Sequence, residues 1–242
     1  MKYLHVLIIL ANFALALDAK SQIINTIPSW NGTTYEYPLG IPNTQSYGVI
    51  LDAPNATLNN FSFELKMPSS LQFQGYVGTW NGTGVSQILY ASPITTTPDN
   101  NTQFDQITFN TGSLDIGTGS PLALFVSVDS YSLGSTATQT QAPFVGSGNV
   151  ETGELGLLNY GGGNTISSPS GEFVYLNSSD LTGATTGKNI GFAVAGWALT
   201  GDNAAYSAQF SDTAPTPEPS TWAMLLGGLG LLAFWRTRRT RL

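Results

Sequence analysis

Short runs with apolar residues at every second position, each cut off by glycine, proline or asparagine, fill the middle of this chain. They leave little room for anything but β structure. FSFELKM (Phe61–Met67) alternates strictly between Asn60 and Pro68. Side chains of a strand point to opposite faces in turn, so a period of two places every apolar residue of such a run on one face. SYGVILD (Ser46–Asp52), SQILYAS (Ser86–Ser92), FDQITFN (Phe104–Asn110), GEFVYLN (Gly171–Asn177), IGFAVAGWALT (Ile190–Thr200) and AAYSAQF (Ala204–Phe210) have the same β-branched and aromatic character. LALFVSVDS (Leu122–Ser130) is more continuously apolar and reads as a central strand. No internal segment keeps a helical period. Asn81-Gly82 marks a tight turn, and the Gly/Ser/Thr-rich spans 133–141 and 160–171 read as long loops. The expectation is an all-β fold: an antiparallel, jelly-roll-like β-sandwich over residues 22–210.

Composition narrows the chemistry. The chain has 1 histidine, His5, and no cysteine. His5 lies in a segment read below as a leader, so the body can build no Ser-His-Asp triad and no imidazole or thiolate metal site. Stability is expected from burial and sheet hydrogen bonds rather than disulfides. Residues 22–217 carry two lysines against 13 acidic residues, a formal charge of −11. Such a surface repels nucleic acid. Asp99-Asn100-Asn101, Asp115 and Asp202-Asn203 offer oxygen ligands in turns, but no Asp-x-Asp-x-Asp-Gly loop is present. Neither a metal nor a cofactor is expected. Glu64, Glu151, Glu154 and Glu172 could serve carboxylate-dependent hydrolysis, yet none has sequence neighbours that mark it as perturbed.

Sugar binding is the sharpest idea the body offers. The run Leu71–Trp80 puts Leu71, Phe73, Gly75, Val77 and Thr79 on one face and Gln72, Gln74, Tyr76, Gly78 and Trp80 on the other. An aromatic platform flanked by amides suits a ring of hydroxyls, so Tyr76, Trp80, Gln72 and Gln74 are the candidate glycan-binding residues. The competing reading is that both rings pack into a core, the commoner fate of strand aromatics.

The ends carry a different kind of information. Lys2 precedes the mostly apolar stretch Tyr3–Leu17, with small residues at Ala14, Ala16 and Ala19. Residues 1–21 are therefore expected to be a signal peptide. At the other end, residues 211–219 form a proline-containing linker with the motif Pro217-Glu218-Pro219. The uncharged run Trp222–Trp235 follows, 14 residues long. A spanning helix usually needs about 20. Snorkelling cations extend the reach. Arg236, Arg238, Arg239 and Arg241 then act as a membrane stop. A single transmembrane helix is expected over residues 220–236 and a basic cytoplasmic tail over 237–242.

Pro217-Glu218-Pro219, then Ser220-Thr221-Trp222, the Leu/Gly-rich run and the clustered arginines closely resemble the PEP-CTERM sorting signal. That resemblance implies export by an exopolysaccharide-producing Gram-negative bacterium. It also implies processing by an exosortase, a membrane enzyme that reads Pro217, Glu218 and Pro219. Two prolines hold that segment extended, presenting backbone to an enzyme at the bilayer surface. The body, about residues 46–210, is similar to a β-sandwich module common among such proteins. The resemblance bears on fold and location; the role expected of the chain is a non-enzymatic surface or matrix protein, anchored in the membrane before processing and associated afterwards with exopolysaccharide or biofilm. The alternatives are a carbohydrate-binding module and a carboxylate-dependent glycan-processing enzyme.

Overall fold

The computed structural model of the chain describes residues 21–40, 44–68, 71–96, 102–119, 121–130, 142–143, 153–159, 171–177 and 197–212. The expected signal peptide, the Pro-Glu-Pro segment and the transmembrane run lie outside the described residues, apart from Ser21. Within them run β1 (Ser21–Asn25), a 3₁₀ turn (Ile27–Ser29), β2 (Tyr35–Leu39), β3 (Thr44–Asp52), β4 (Thr57–Lys66) and β5 (Gln74–Trp80). β6 (Val85–Ala91), β7 (Asp105–Asp115), β8 (Pro121–Ser127), β9 (Asp129–Ser130) and β10 (Ala142–Pro143) come next. β11 (Gly153–Gly156), β12 (Glu172–Asn177), β13 (Trp197–Leu199) and β14 (Tyr206–Ser211) complete the order. Among the described residues no helix is long and apolar enough to cross a membrane.

Twelve of these strands form one continuous sheet that doubles back on itself as a β-sandwich. One layer runs β1-β14-β4-β7, the other β13-β12-β3-β8-β5-β6, and β11 and β2 join them at one side. Among the described residues pairing is antiparallel with one exception: β2 meets β3 in parallel at Leu39 and Thr44. The expected all-antiparallel sheet is thus mixed at the seam where the layers connect.

The interior follows the period-two pattern. β4 sends Phe61, Phe63 and Leu65 inward, β14 sends Tyr206, Ala208 and Phe210, and β8 sends Leu122, Leu124 and Val126 from the opposite layer. Phe109 of β7 stacks on Phe61 at 5.0 Å between ring centroids and meets Phe73 edge-on at 6.5 Å. Its ring lies directly against Gly75 of β5, so the layers touch there without an intervening side chain. The outer face of β4 is a polar ladder. Ser62 Oγ bonds Thr108 Oγ1 at 2.9 Å, and Asn60 Nδ2 donates to Gln209 Oε1 at 2.9 Å.

The second layer differs, because its outer face is apolar too. Tyr76, Trp80, Val85, Ile88, Ala123, Phe125, Val174, Leu176 and Trp197 make a separate buried cluster there. The expected β5 pleat is correct, with Phe73 and Val77 on the central core and Tyr76 and Trp80 opposite. Both of its faces bury apolar surface.

Candidate ligand-binding surface

Burial corrects the expected sugar platform. Tyr76 is fully buried, stacked on Phe125 at 5.1 Å. Its hydroxyl donates to Gln74 Oε1 at 2.6 Å, and Gln74 Nε2 donates to the Ser92 carbonyl. Trp80 is 9% exposed and packs edge-on against Trp197 at 5.9 Å. Gln72 and Gln74 are half-buried. These four residues offer a glycan no open ring face. Phe125 on the adjacent strand β8 and Trp197 on β13 occupy the space that a sugar would need.

An aromatic surface does exist, on the outside of the other layer, and it was not read from the sequence. It begins at Trp30. Asn31 Oδ1 accepts from the amides of Thr33 and Thr34 at 2.9 and 2.8 Å, closing a turn in which Gly32 takes φ +78°. That turn brings the Thr34 carbonyl under the indole, and Trp30 Nε1 donates to it at 2.7 Å. The indole packs against Gly156 of β11, where an added Cβ would come within 2.9 Å of Trp30 Cε2. Phe104 meets Trp30 edge-on at 4.8 Å. Tyr35 lies 5.9 Å from Phe104, and Tyr37 lies 6.0 Å from Tyr35. Tyr35 and Tyr37 are 36% and 60% exposed, two of the few large hydrophobic side chains so open among the described residues.

A cation sits inside this row. Lys66 Nζ is 5.8 Å from the ring centroids of both Tyr35 and Phe104, and donates to Glu154 Oε2 at 3.0 Å. Lys66 and Glu154 face each other across β4 and β11, so register alone sets the pair. Glu64 is buried beside them. Its carboxyl is held above the usual range, first by burial and then by the negative charge of Asp105. Aromatic faces, an ammonium with three donors and a carboxylate are thus presented together.

A carboxyl behind this surface has an unusual environment. Leu65 of β4, Leu155 of β11 and Glu36 of β2 form one cross-strand row, and both leucines are fully buried. Glu36 is therefore aimed toward apolar surroundings. Its carboxyl is raised from 4.5 to about 7, first by burial and then by the charge of Asp202. The folded state holds this proton more firmly than the unfolded chain does. Stability is then fully present at low pH and declines as pH rises from 4.5 through about 7. Glu36 is only half-buried, so screening trims the effect to about 1 kcal/mol. Melting curves at pH 5 and pH 8 should differ by about 2–4 °C, lower at pH 8. Glu36→Gln should flatten the difference. A midpoint that rises with pH in the unaltered protein would contradict this assignment.

Of the other acidic residues singled out in the sequence, Asp115 is exposed and accepts from the Gly117 amide at 3.2 Å. Glu172 is exposed, Asp202 is buried, and Asp99 and Glu151 lie outside the described residues. Among the described residues no three of His, Cys, Asp and Glu converge.

Residues 215–239 match the PEP-CTERM protein-sorting motif. This motif marks an exported protein that is processed by exosortase. No curated protein matches the chain. Among solved structures, the chain is similar to the cysteine protease and lectin-like domains of Cwp84, a surface layer associated protein of Clostridium difficile. Identity is 11% and the TM-score 0.41, and the likeness covers 71% of this chain and 32% of that one.

Proposed function

We propose that this protein is a non-enzymatic component of the cell surface or extracellular matrix that associates with exopolysaccharide. The sorting motif at residues 215–239 carries the reading, because its role is delivery and it commits the body to a place outside the cell. Before processing, the run Trp222–Trp235 holds the chain in the membrane, with Arg236, Arg238, Arg239 and Arg241 on the cytoplasmic side. Pro217, Glu218 and Pro219 present the segment that exosortase reads. The outer face of β4, with its uncharged hydroxyl and amide ladder, supports a role in a hydrated matrix. The weakened acidity of Glu36 has a structural cause in its leucine row, and a hydrolase is accordingly the weaker reading.

Fractionation of the producing organism tests this. The protein should be recovered, shortened at its C-terminus, with the exopolysaccharide fraction. In a strain lacking exosortase it should stay in the membrane fraction at full length. Recovery of full-length protein from the cytosol of both strains, or free in the medium with none on the polysaccharide, would defeat the proposal.

A further inference from the structure

We infer that the outer-face row Tyr37–Tyr35–Phe104–Trp30, with the Lys66–Glu154 pair beside it, is the binding track for a neutral, hydroxyl-rich sugar chain; this deepens the exopolysaccharide reading and rests on it. The first reason is exposure combined with order. Tyr35 and Tyr37 are two apart on β2 and so project from the same face, and they stand 36% and 60% open. Isolated surface hydrophobics need no explanation, but four rings in unbroken sequence at 6.0, 5.9 and 4.8 Å do.

The second reason is rigidity. The Asn31 turn and the Thr34 carbonyl fix the Trp30 indole, Gly156 leaves room for its close approach, and Phe104 buttresses it edge-on. Rings already immobilised lose little side-chain entropy when a ligand settles on them.

The third reason is the polar chemistry. The C–H faces of a sugar pack on aromatic rings, while its hydroxyls need both donors and acceptors. Lys66 and Glu154 supply one of each beside Tyr35 and Phe104, with side chains 21% and 15% exposed. Charge selects the class. Two lysines against 13 acidic residues in the body disfavour a uronate or sulfate polymer. Lys66 already fills the cation position over Tyr35 and Phe104, which disfavours a cationic ligand. What remains is an uncharged glycan.

The surrounding face argues against a protein partner. Beyond Glu64 on the same face, the ladder of Asn60, Ser62, Thr108 and Gln209 is uncharged and polar. A stable protein interface instead needs about 800 Å² per partner with a largely apolar centre.

Native gels cast with dextran, with mixed-linkage β-glucan or with polygalacturonate provide the test, run beside gels containing the organism's own exopolysaccharide. The exported protein, purified as the organism releases it, should be retarded by its own polysaccharide and by at least one neutral polymer, and not by polygalacturonate. The double variant Tyr35→Ala/Tyr37→Ala should lose roughly tenfold or more in apparent affinity. Ile94→Ala, which removes a comparably exposed side chain elsewhere, should bind unchanged. Both altered positions are exposed, and an unshifted melting curve confirms folding; Lys66→Gln provides a second variant of the track that keeps the rings.

If the unaltered protein ignores its own polysaccharide, the functional reading itself fails. If that retention persists undiminished in both track variants, or if the protein binds its own polysaccharide but, of the three test polymers, only polygalacturonate retards it, the assigned track is wrong while the broader reading stands. Self-association by light scattering that disappears in the double variant, without any gel retardation, would make the row a protein interface and overturn the inference.

Discussion

Phe61→Ala should destabilise the domain by about 3–5 kcal/mol. Phe61 is fully buried at the middle of β4, the strand that pairs with β14, β7 and β11. Its ring stacks on Phe109 at 5.0 Å and meets Phe63 edge-on at 5.9 Å. Phe109 in turn lies against Gly75 of the opposite layer. Truncation therefore removes the support under a ring that reaches across to the opposite layer. The void cannot fill by collapse, because hydrogen-bonded neighbours hold β4 on both sides. Urea unfolding of the purified protein measures the effect. The midpoint should fall sharply while the slope with denaturant stays constant, since the surface exposed on unfolding is nearly unchanged. A loss under about 1 kcal/mol would mean that Phe61 does not lie in a close-packed interior.

The same core shows what could be read from the residues and what could not. FSFELKM announced its own inward face, and the structure places Phe61, Phe63 and Leu65 there. The tight turn at Asn81-Gly82 is also as expected, with Asn81 Oδ1 accepting from Thr83 and Gly84 amides, both at 3.0 Å. A pleat, however, reveals only which residues share a face. It does not reveal what lies over that face. β5 illustrates the gap: the division of Leu71–Trp80 into two faces is right, yet the face with Tyr76 and Trp80 is covered by Phe125 and Trp197.

Trp-Asn-Gly-Thr occurs twice, at residues 30–33 and 80–83, and both copies close the same asparagine turn. The local sequence is identical, but Trp80 is buried in a cluster while Trp30 lies half-exposed over Gly156. Only the second copy follows an alternating run, which gives Trp80 the stronger local signal although its ring is buried. β2 carries little strand signal, because it is 5 residues long and contains Pro38. Its alternation is also inverted. Tyr35 and Tyr37 face out and Glu36 faces the leucine row, because pairing with β11 fixes the register whatever the side chains prefer. β11 has glycine at two of its 4 positions and reads as a loop, and its partners lie far away in sequence. One physical cue to the candidate surface was available: two tyrosines flanking a glutamate, close behind a Trp-Asn-Gly turn, form an aromatic group with no apolar phase of its own.

Gly48→Ala should cost about 2–3 kcal/mol, although it adds a single methyl group and improves strand propensity. Gly48 is in the middle of β3, between Phe125 of β8 and Val174 of β12. A Cβ built there would overlap Phe125 Cβ and the Leu124 carbonyl oxygen. The obstacle is backbone and the root of a side chain, so no rotamer change relieves it. The β3–β8 ladder itself must open, loosening the Tyr76–Phe125 stack on the outer face and Leu124 on the inner one. Gly82→Ala makes the contrasting control. Gly82 has φ +97° and nothing within 4 Å of the added methyl, so its cost is backbone strain alone, about 1 kcal/mol. Urea midpoints for the two variants should therefore rank Gly48→Ala well below Gly82→Ala. Hydrogen exchange should separate them further, with faster exchange along β3 and β8 in the first and only around residues 81–84 in the second. Equal costs, or a Gly48→Ala protein as stable as the original, would show that β3 and β8 do not approach as closely as the clash requires.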